Sequence, residues 1–176
     1  MKKAVFLVAL CAILSMGNTS ANASLWDFST IPANGAVSGP PGSTVSWDYR
    51  ISNNDPINWL VISRLGVDPF QHGVPNDAFN YPIIPPVILP GSIVFGRLYE
   101  FTWDATAPVG FTNSGQFTLS AEFWDGDPFV SGSSFVALAD DISKPYTANA
   151  VPVPPSIFLM ASGLVGIWYL RRLRKK

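Results

Sequence analysis

Between Thr44 and Ser52 apolar and polar side chains alternate without a break: Val45, Trp47, Tyr49 and Ile51 interleave with Ser46, Asp48, Arg50 and Ser52. A period of two sorts one set onto each face of an extended strand, whereas a helix would scatter both sets around its circumference. The device recurs. Phe117, Leu119, Ala121 and Phe123 alternate with Thr118, Ser120 and Glu122, and Tyr99, Phe101 and Trp103 with Glu100 and Thr102. Trp59-Leu60-Val61-Ile62 is apolar on both faces, as expected of a strand covered on two sides. Ile93–Phe95, Ser134–Ala139 and Tyr146–Val151 are further strand candidates.

Turn formers separate these runs: Gly39-Pro40-Pro41-Gly42, Asn53-Asn54-Asp55-Pro56, Asn113-Ser114-Gly115, Asp125-Gly126-Asp127-Pro128 and Ser131-Gly132-Ser133. No window between Ser24 and Ala150 carries a helical stripe. The fold expected over residues 24–150 is therefore all-β, a two-sheet antiparallel β-sandwich. Pro41–Pro56 (PGSTVSWDYRISNNDP) resembles the B-strand region of immunoglobulin-like bacterial surface domains, without the Cys…Trp…Cys framework of antibody domains. Asp68–Pro90 stands apart, with Pro69, Pro75, Pro82, Pro85, Pro86 and Pro90 among Phe70, His72, Phe79 and Tyr81. Proline donates no ladder hydrogen bond, so this stretch reads as a long loop or unpaired edge whose aromatics fold down onto the sandwich.

The two ends have a different chemistry. Lys2 and Lys3, the apolar run Ala4–Leu14 and the small-x-small site Ala21-Asn22-Ala23 form a secretory signal peptide over residues 1–23. Cys11, the only cysteine, sits inside that run with Leu10 where a lipoprotein site needs a small residue. Cleavage after Ala23 leaves a body without cysteine, held by packing rather than disulfides.

At the other end, residues 151–176 open on Pro152-Val153-Pro154-Pro155. An apolar stretch from Ile157 to Leu170 follows, and then Arg171, Arg172, Arg174, Lys175 and Lys176. From Pro155 to Leu170 a helix spans roughly 24 Å of a hydrocarbon core about 30 Å thick, so crossing is just feasible. The basic cluster stays on the cytoplasmic side, which places the body on the far side of the membrane. Gly163 and Gly166 let such a helix pack closely against a partner.

The Pro-x-Pro opening, the short helix rich in small residues and the terminal Arg/Lys cluster resemble the PEP-CTERM sorting signal of Gram-negative bacteria. Val153 stands where that family's glutamate would be, as in VPxPA-like versions, and Pro155 replaces the usual small residue. The resemblance covers residues 151–176 only. It implies recognition by an exosortase-type membrane protease after passage through signal peptidase and the Sec machinery. It also implies a surface or extracellular-matrix destination linked with exopolysaccharide and biofilm. The other reading is a carbohydrate- or calcium-binding surface module held by a permanent single-pass anchor.

Charge is segregated along the chain. Between Ser24 and Ala150 only Arg50, Arg64, Arg97 and Lys144 face all 12 carboxylates. Such a body repels phosphate backbones, so nucleic acid is not an expected partner. His72 is the only histidine, which leaves no histidine triad and no zinc site of the usual ligands. Glu100 with Glu122, or Asp104 with Asp125, could form an acid/base pair, but strand parity turns Glu100 and Glu122 outward and a non-enzymatic, cofactor-free body is expected. Asp125, Asp127, Asp140 and Asp141, with Asn53-x-Asp55, are candidate oxygen donors to calcium, though none lies in a D-x-[DN]-x-[DN]-G loop. Among the tryptophans, Trp47 and Trp103 share faces with core residues, and Trp26 and Trp124 are the ones expected to be exposed for sugar stacking.

Overall fold

The computed structural model describes residues 24–79 and 86–153. The expected signal peptide and membrane helix lie outside the described residues, together with Ala21, Ala23, Pro154, Pro155, Gly163, Gly166, Arg171 and Arg172. No helix among the described residues is long and apolar enough to cross a membrane.

The alternating runs are strands, and they form two sheets. One has the order β1 (Trp26–Ile31), β3 (Thr44–Asn53), β7 (Ile93–Trp103), β5 (Gly73–Asp77). The other has the order β2 (Ala36–Gly39), β10 (Ile142–Ala150), β8 (Thr112–Trp124), β4 (Trp59–Val67), β6 (Val87–Ile88), with β9 (Phe135–Leu138) also paired to β8. The all-β sandwich expected from the alternation is thus the observed architecture. It is not wholly antiparallel: β2 runs parallel to β10.

The inward faces close over aromatic rings. Trp47 from the first sheet meets Phe117 and Tyr146 from the second, with ring centroids 5.3 and 5.6 Å apart. Phe70, from the proline-rich stretch, stacks on Phe101 at 4.7 Å and on Tyr146 at 4.6 Å. Phe79 from the same stretch is buried as well. Trp47 donates its indole N–H to the Gly35 carbonyl at 2.8 Å, and the Tyr146 hydroxyl donates to the Asp68 carbonyl at 2.8 Å. The polar tips of both rings are satisfied inside the core, as buried donors require.

Two bulges adjust the parity. In β7 the register against β3 shifts between Trp47 and Asp48, so Leu98 and then Phe101 and Trp103 all face inward. In β4 it shifts between Ile62 and Arg64. Leu60 and Ile62 point into the core before the bulge, and Leu65 and Val67 pack against it afterwards, which turns Arg64 and Gly66 to the outer face.

Two expectations need correction, and one candidate pairing can be placed. Asp68–Pro90 is not unpaired: β5 pairs with β7 and β6 with β4. Pro75, opposite Phe101, is accommodated because β5 is an edge strand whose outer side asks for no ladder donor. Trp26 is not exposed but 1 % accessible, because β1 alternates Trp26, Phe28 and Thr30 inward and the indole N–H bonds the Asp140 carbonyl at 3.1 Å. Glu100 and Glu122 sit on different sheets, β7 and β8, so they do not form an acid/base couple.

Burial, with Asp68 and Tyr99 nearby, pushes the Tyr146 hydroxyl up to about 12. An unfolded tyrosine ionises near pH 10, so this group's contribution to stability is complete below about pH 10 and declines as pH rises towards 12. We expect an absorbance titration to show a tyrosine step delayed to about pH 12. Tyr146→Phe should abolish that step and cost about 1 kcal/mol in denaturant unfolding at neutral pH.

Candidate functional site

The acidic side chains singled out for calcium are used locally. Asp125 Oδ1 accepts the Ser134 N–H at 2.6 Å and Asp127 Oδ1 accepts the Phe129 N–H at 2.9 Å, so both carboxylates hold the turn from β8 to β9 in shape. Asp140 lines a cleft of about 540 Å³ with Leu25, Trp26, Phe123 and Leu138, whereas Asp141 lines a different groove altogether. The four aspartates therefore do not converge on one point. Among the described residues no three histidine, cysteine, aspartate or glutamate side chains cluster as a metal site.

Asn53 and Asp55 form a clamp rather than an ion loop. Asp55 Oδ1 accepts the N–H groups of Ile57 and Asn58, both at 2.8 Å, and Oδ2 accepts the Asn58 side-chain amide at 2.9 Å. The Asn53 amide donates to the carbonyls of Asn58, Ile88 and Leu89 at 2.8, 3.1 and 3.2 Å. This network ties the β3–β4 turn to the chain following β6. Burial raises the Asp55 carboxyl, but the hydrogen bonds from Asn58 and Ile57 outweigh it and hold the group below its usual value.

The more open chemistry lies on the outer face of the second sheet. Phe117, Leu119, Ala121 and Phe123 of β8 point inward, so Gln116, Thr118, Ser120, Glu122 and Trp124 line up outside. The β4 bulge sets Arg64 opposite Ser120 and Gly66 opposite Thr118. Together with Asp68 and Asp141 they line a groove of about 250 Å³. Asp68 Oδ2 accepts the Gln116 N–H at 2.9 Å, and Thr118 Oγ1 meets Ser143 Oγ at 2.8 Å. Arg64 makes no ion pair among the described residues. Farther along the same row, Trp124 is half-buried; its indole N–H bonds Glu122 Oε2 at 3.3 Å, and Phe135 approaches edge-on at 6.2 Å.

No family model matches the chain, and no curated protein matches it. Among solved structures, a Caenorhabditis elegans MSP family member, WR4, is similar at 8 % identity and TM-score 0.36, covering 73 % of this chain and 100 % of that one. The PapD-like domain 7 of human CEP192 is similar at 6 % identity and TM-score 0.37, covering 78 % and 93 %. Likenesses at this level carry no inference about function, and the sandwich rests on its own strand pairing.

Alternation places Thr118, Ser120 and Glu122 outward from sequence alone. The groove as such was not foreseen, because Arg64 and Gly66 face outward only through the bulge. The one sequence signal is a glycine in the midst of a strand, which weakens a strand unless something needs the space.

Asp55 supplies stability that is present above the unfolded carboxyl's value of about 3.9 and lost as pH falls through its lower folded value. Asp55→Asn should cost about 1–2 kcal/mol at pH 7 by urea unfolding, and the gap to wild type should narrow as pH falls below about 4.

Proposed function

We propose that the chain is an exported, non-enzymatic surface or extracellular-matrix protein of a Gram-negative bacterium. The signal peptide at residues 1–23 directs export, and the segment 151–176 sorts the protein. The observation that carries this reading is where β10 ends. The Val151 N–H still bonds the Gly39 carbonyl at 3.0 Å, and Pro152, the next residue, has no N–H with which to extend β10. The β10 ladder thus ends at the first proline of the Pro-x-Pro segment, which suits a linker that a membrane protease must reach.

Two further features support the reading. A cysteine-free sandwich whose buried indole and hydroxyl donors at Trp47 and Tyr146 are bonded internally needs no redox assistance after translocation. Some of the carboxylates already have local partners. Glu100 accepts from Arg97 at 3.0 Å, and Asp125 and Asp127 brace their own loop. In this reading the partners are the Sec machinery, signal peptidase, the membrane and an exosortase-type protease acting near Pro152, Val153, Pro154 and Pro155. Arg171 and Arg172 remain cytoplasmic until processing.

Intact-mass measurement on the cell-surface form tests this. We expect a species that begins at Ser24 and lacks everything beyond residues 151–155. A species running from Ser24 to Lys176 would favour the permanent anchor, and folded protein in the cytosol with both ends intact would overturn export.

A further inference from the structure

Most glycines in this fold have a local reason. A Cβ on Gly115 would lie 2.6 Å from the Asp68 Cβ and 2.7 Å from the Tyr146 hydroxyl, so no other residue fits there. Gly66 has none. A Cβ there would meet only the Thr118 carbonyl oxygen at 3.7 Å and the Thr118 Cβ at 3.8 Å, which are ordinary contacts, and its φ lies in the range common to all residues. Yet glycine in the interior of a strand costs stability relative to almost any side chain, and it often marks a close approach by a ligand. Here the missing side chain forms the floor of the groove, with Arg64 on β4 and Asp68 just beyond its end flanking it, and Gln116, Thr118 and Ser120 opposite on β8.

The groove wall combines acceptors, donors and groups that are both. Asp68 and Asp141 accept, Arg64 donates, and the Thr118 and Ser120 hydroxyls do either. Two carboxylates beside one guanidinium disfavour an anion, and the acidic body as a whole repels one. A divalent cation would have to tolerate the Arg64 charge. A ligand hydroxyl, which donates and accepts at once, satisfies every member of the set. The same outward row continues through Glu122 to Trp124, about 13 Å beyond Ser120 at the rise of a β-strand, where a partly buried indole bonds Glu122 Oε2 through its N–H and meets Phe135 edge-on. An array of hydroxyl partners followed at strand spacing by an aromatic platform matches a chain of repeating rings that are polar at the rim and carry C–H bonds on their faces.

We infer that the outer face of β4 and β8, from Gly66 to Trp124, binds a segment of a neutral polysaccharide, one ring lying over Gly66 and a later one against Trp124. This deepens the matrix-protein reading and rests on it for the source of the glycan. The chemistry of the groove is independent of processing, so failure to bind and failure to be sorted are separate results.

The test is native gel electrophoresis of the full-length chain in a polyoxyethylene detergent, through gels containing hydroxyethylcellulose, galactomannan or dextran, with alginate as the anionic counterpart. At least one neutral polymer should retard the protein and alginate should not. Gly66→Val should weaken that retardation at least tenfold while leaving the near-ultraviolet circular dichroism and melting temperature unchanged, since valine suits a strand and its Cβ meets no close neighbour. Trp124→Ala should weaken it by a similar factor. Ser120→Leu fills the groove from the opposite strand and serves in place of Gly66→Val if the latter disturbs the spectrum. Retardation by alginate alone, by none of the neutral polymers, or to an equal extent in the filled-groove variant overturns the assignment.

Discussion

The contact on which the molecule most depends is the meeting of Trp47, Phe70, Phe117 and Tyr146 between the sheets. With no disulfide to pin the layers, their relative position is set by large rings packed edge to face and face to face. Aromatic pairs of this kind contribute about 0.5–1.5 kcal/mol each beyond the apolar area they bury. Each ring with a polar tip is also anchored by it. Trp47 reaches the Gly35 carbonyl before β2, and Tyr146 reaches the Asp68 carbonyl after β4, so one cluster fixes both the sheet stacking and two loops. The proline-rich stretch belongs to this system: Phe70 and Phe79 are its anchors, and the strand that follows Phe70 closes the edge of the first sheet.

Much of this was legible in the residues. The alternations at Val45–Ile51, Tyr99–Trp103 and Phe117–Phe123 gave the strand identities and the inward faces. Those runs carry apolar side chains at every second position, many of them large rings, which leaves little ambiguity. β1 and β2 are harder to read, because the alternation Trp26-Asp27-Phe28-Ser29 is only four residues long and Ala36–Gly39 has none of the large side chains that mark a face. The parallel pairing of β2 with β10 was hidden for another reason: pairing direction depends on how distant segments meet, and no local pattern encodes it. Proline counting also misled. Six prolines between Asp68 and Pro90 exclude a central strand, but they leave room for edge strands.

The outer face illustrates the same division. Its β8 half follows from parity, because Thr118, Ser120 and Glu122 must point outward if Phe117 and Leu119 point inward. Its β4 half does not, because a strict period of two from Leu60 and Ile62 would carry Arg64 and Gly66 into the core. A single extra residue at Ser63 resolves the conflict by reversing parity midway along the strand. The oxygen donors singled out for calcium show a related ambiguity. Asp and Asn side chains that read as ion ligands in sequence are also the best acceptors for nearby backbone N–H groups, and at Asp55, Asp125 and Asp127 the backbone claims them.

The position of β10 has a mechanical consequence. It lies inside the second sheet, bonded to β8 along Ile142–Asn149 and to β2 along Thr147–Ala150, and the chain leaves directly from its last residue. A pull applied beyond Val151 therefore acts along the strand axis, at right angles to the ladder bonds. Those bonds must yield together in shear rather than open one after another as a zipper would. The sandwich presents its stiffest direction to whatever tugs on its tail.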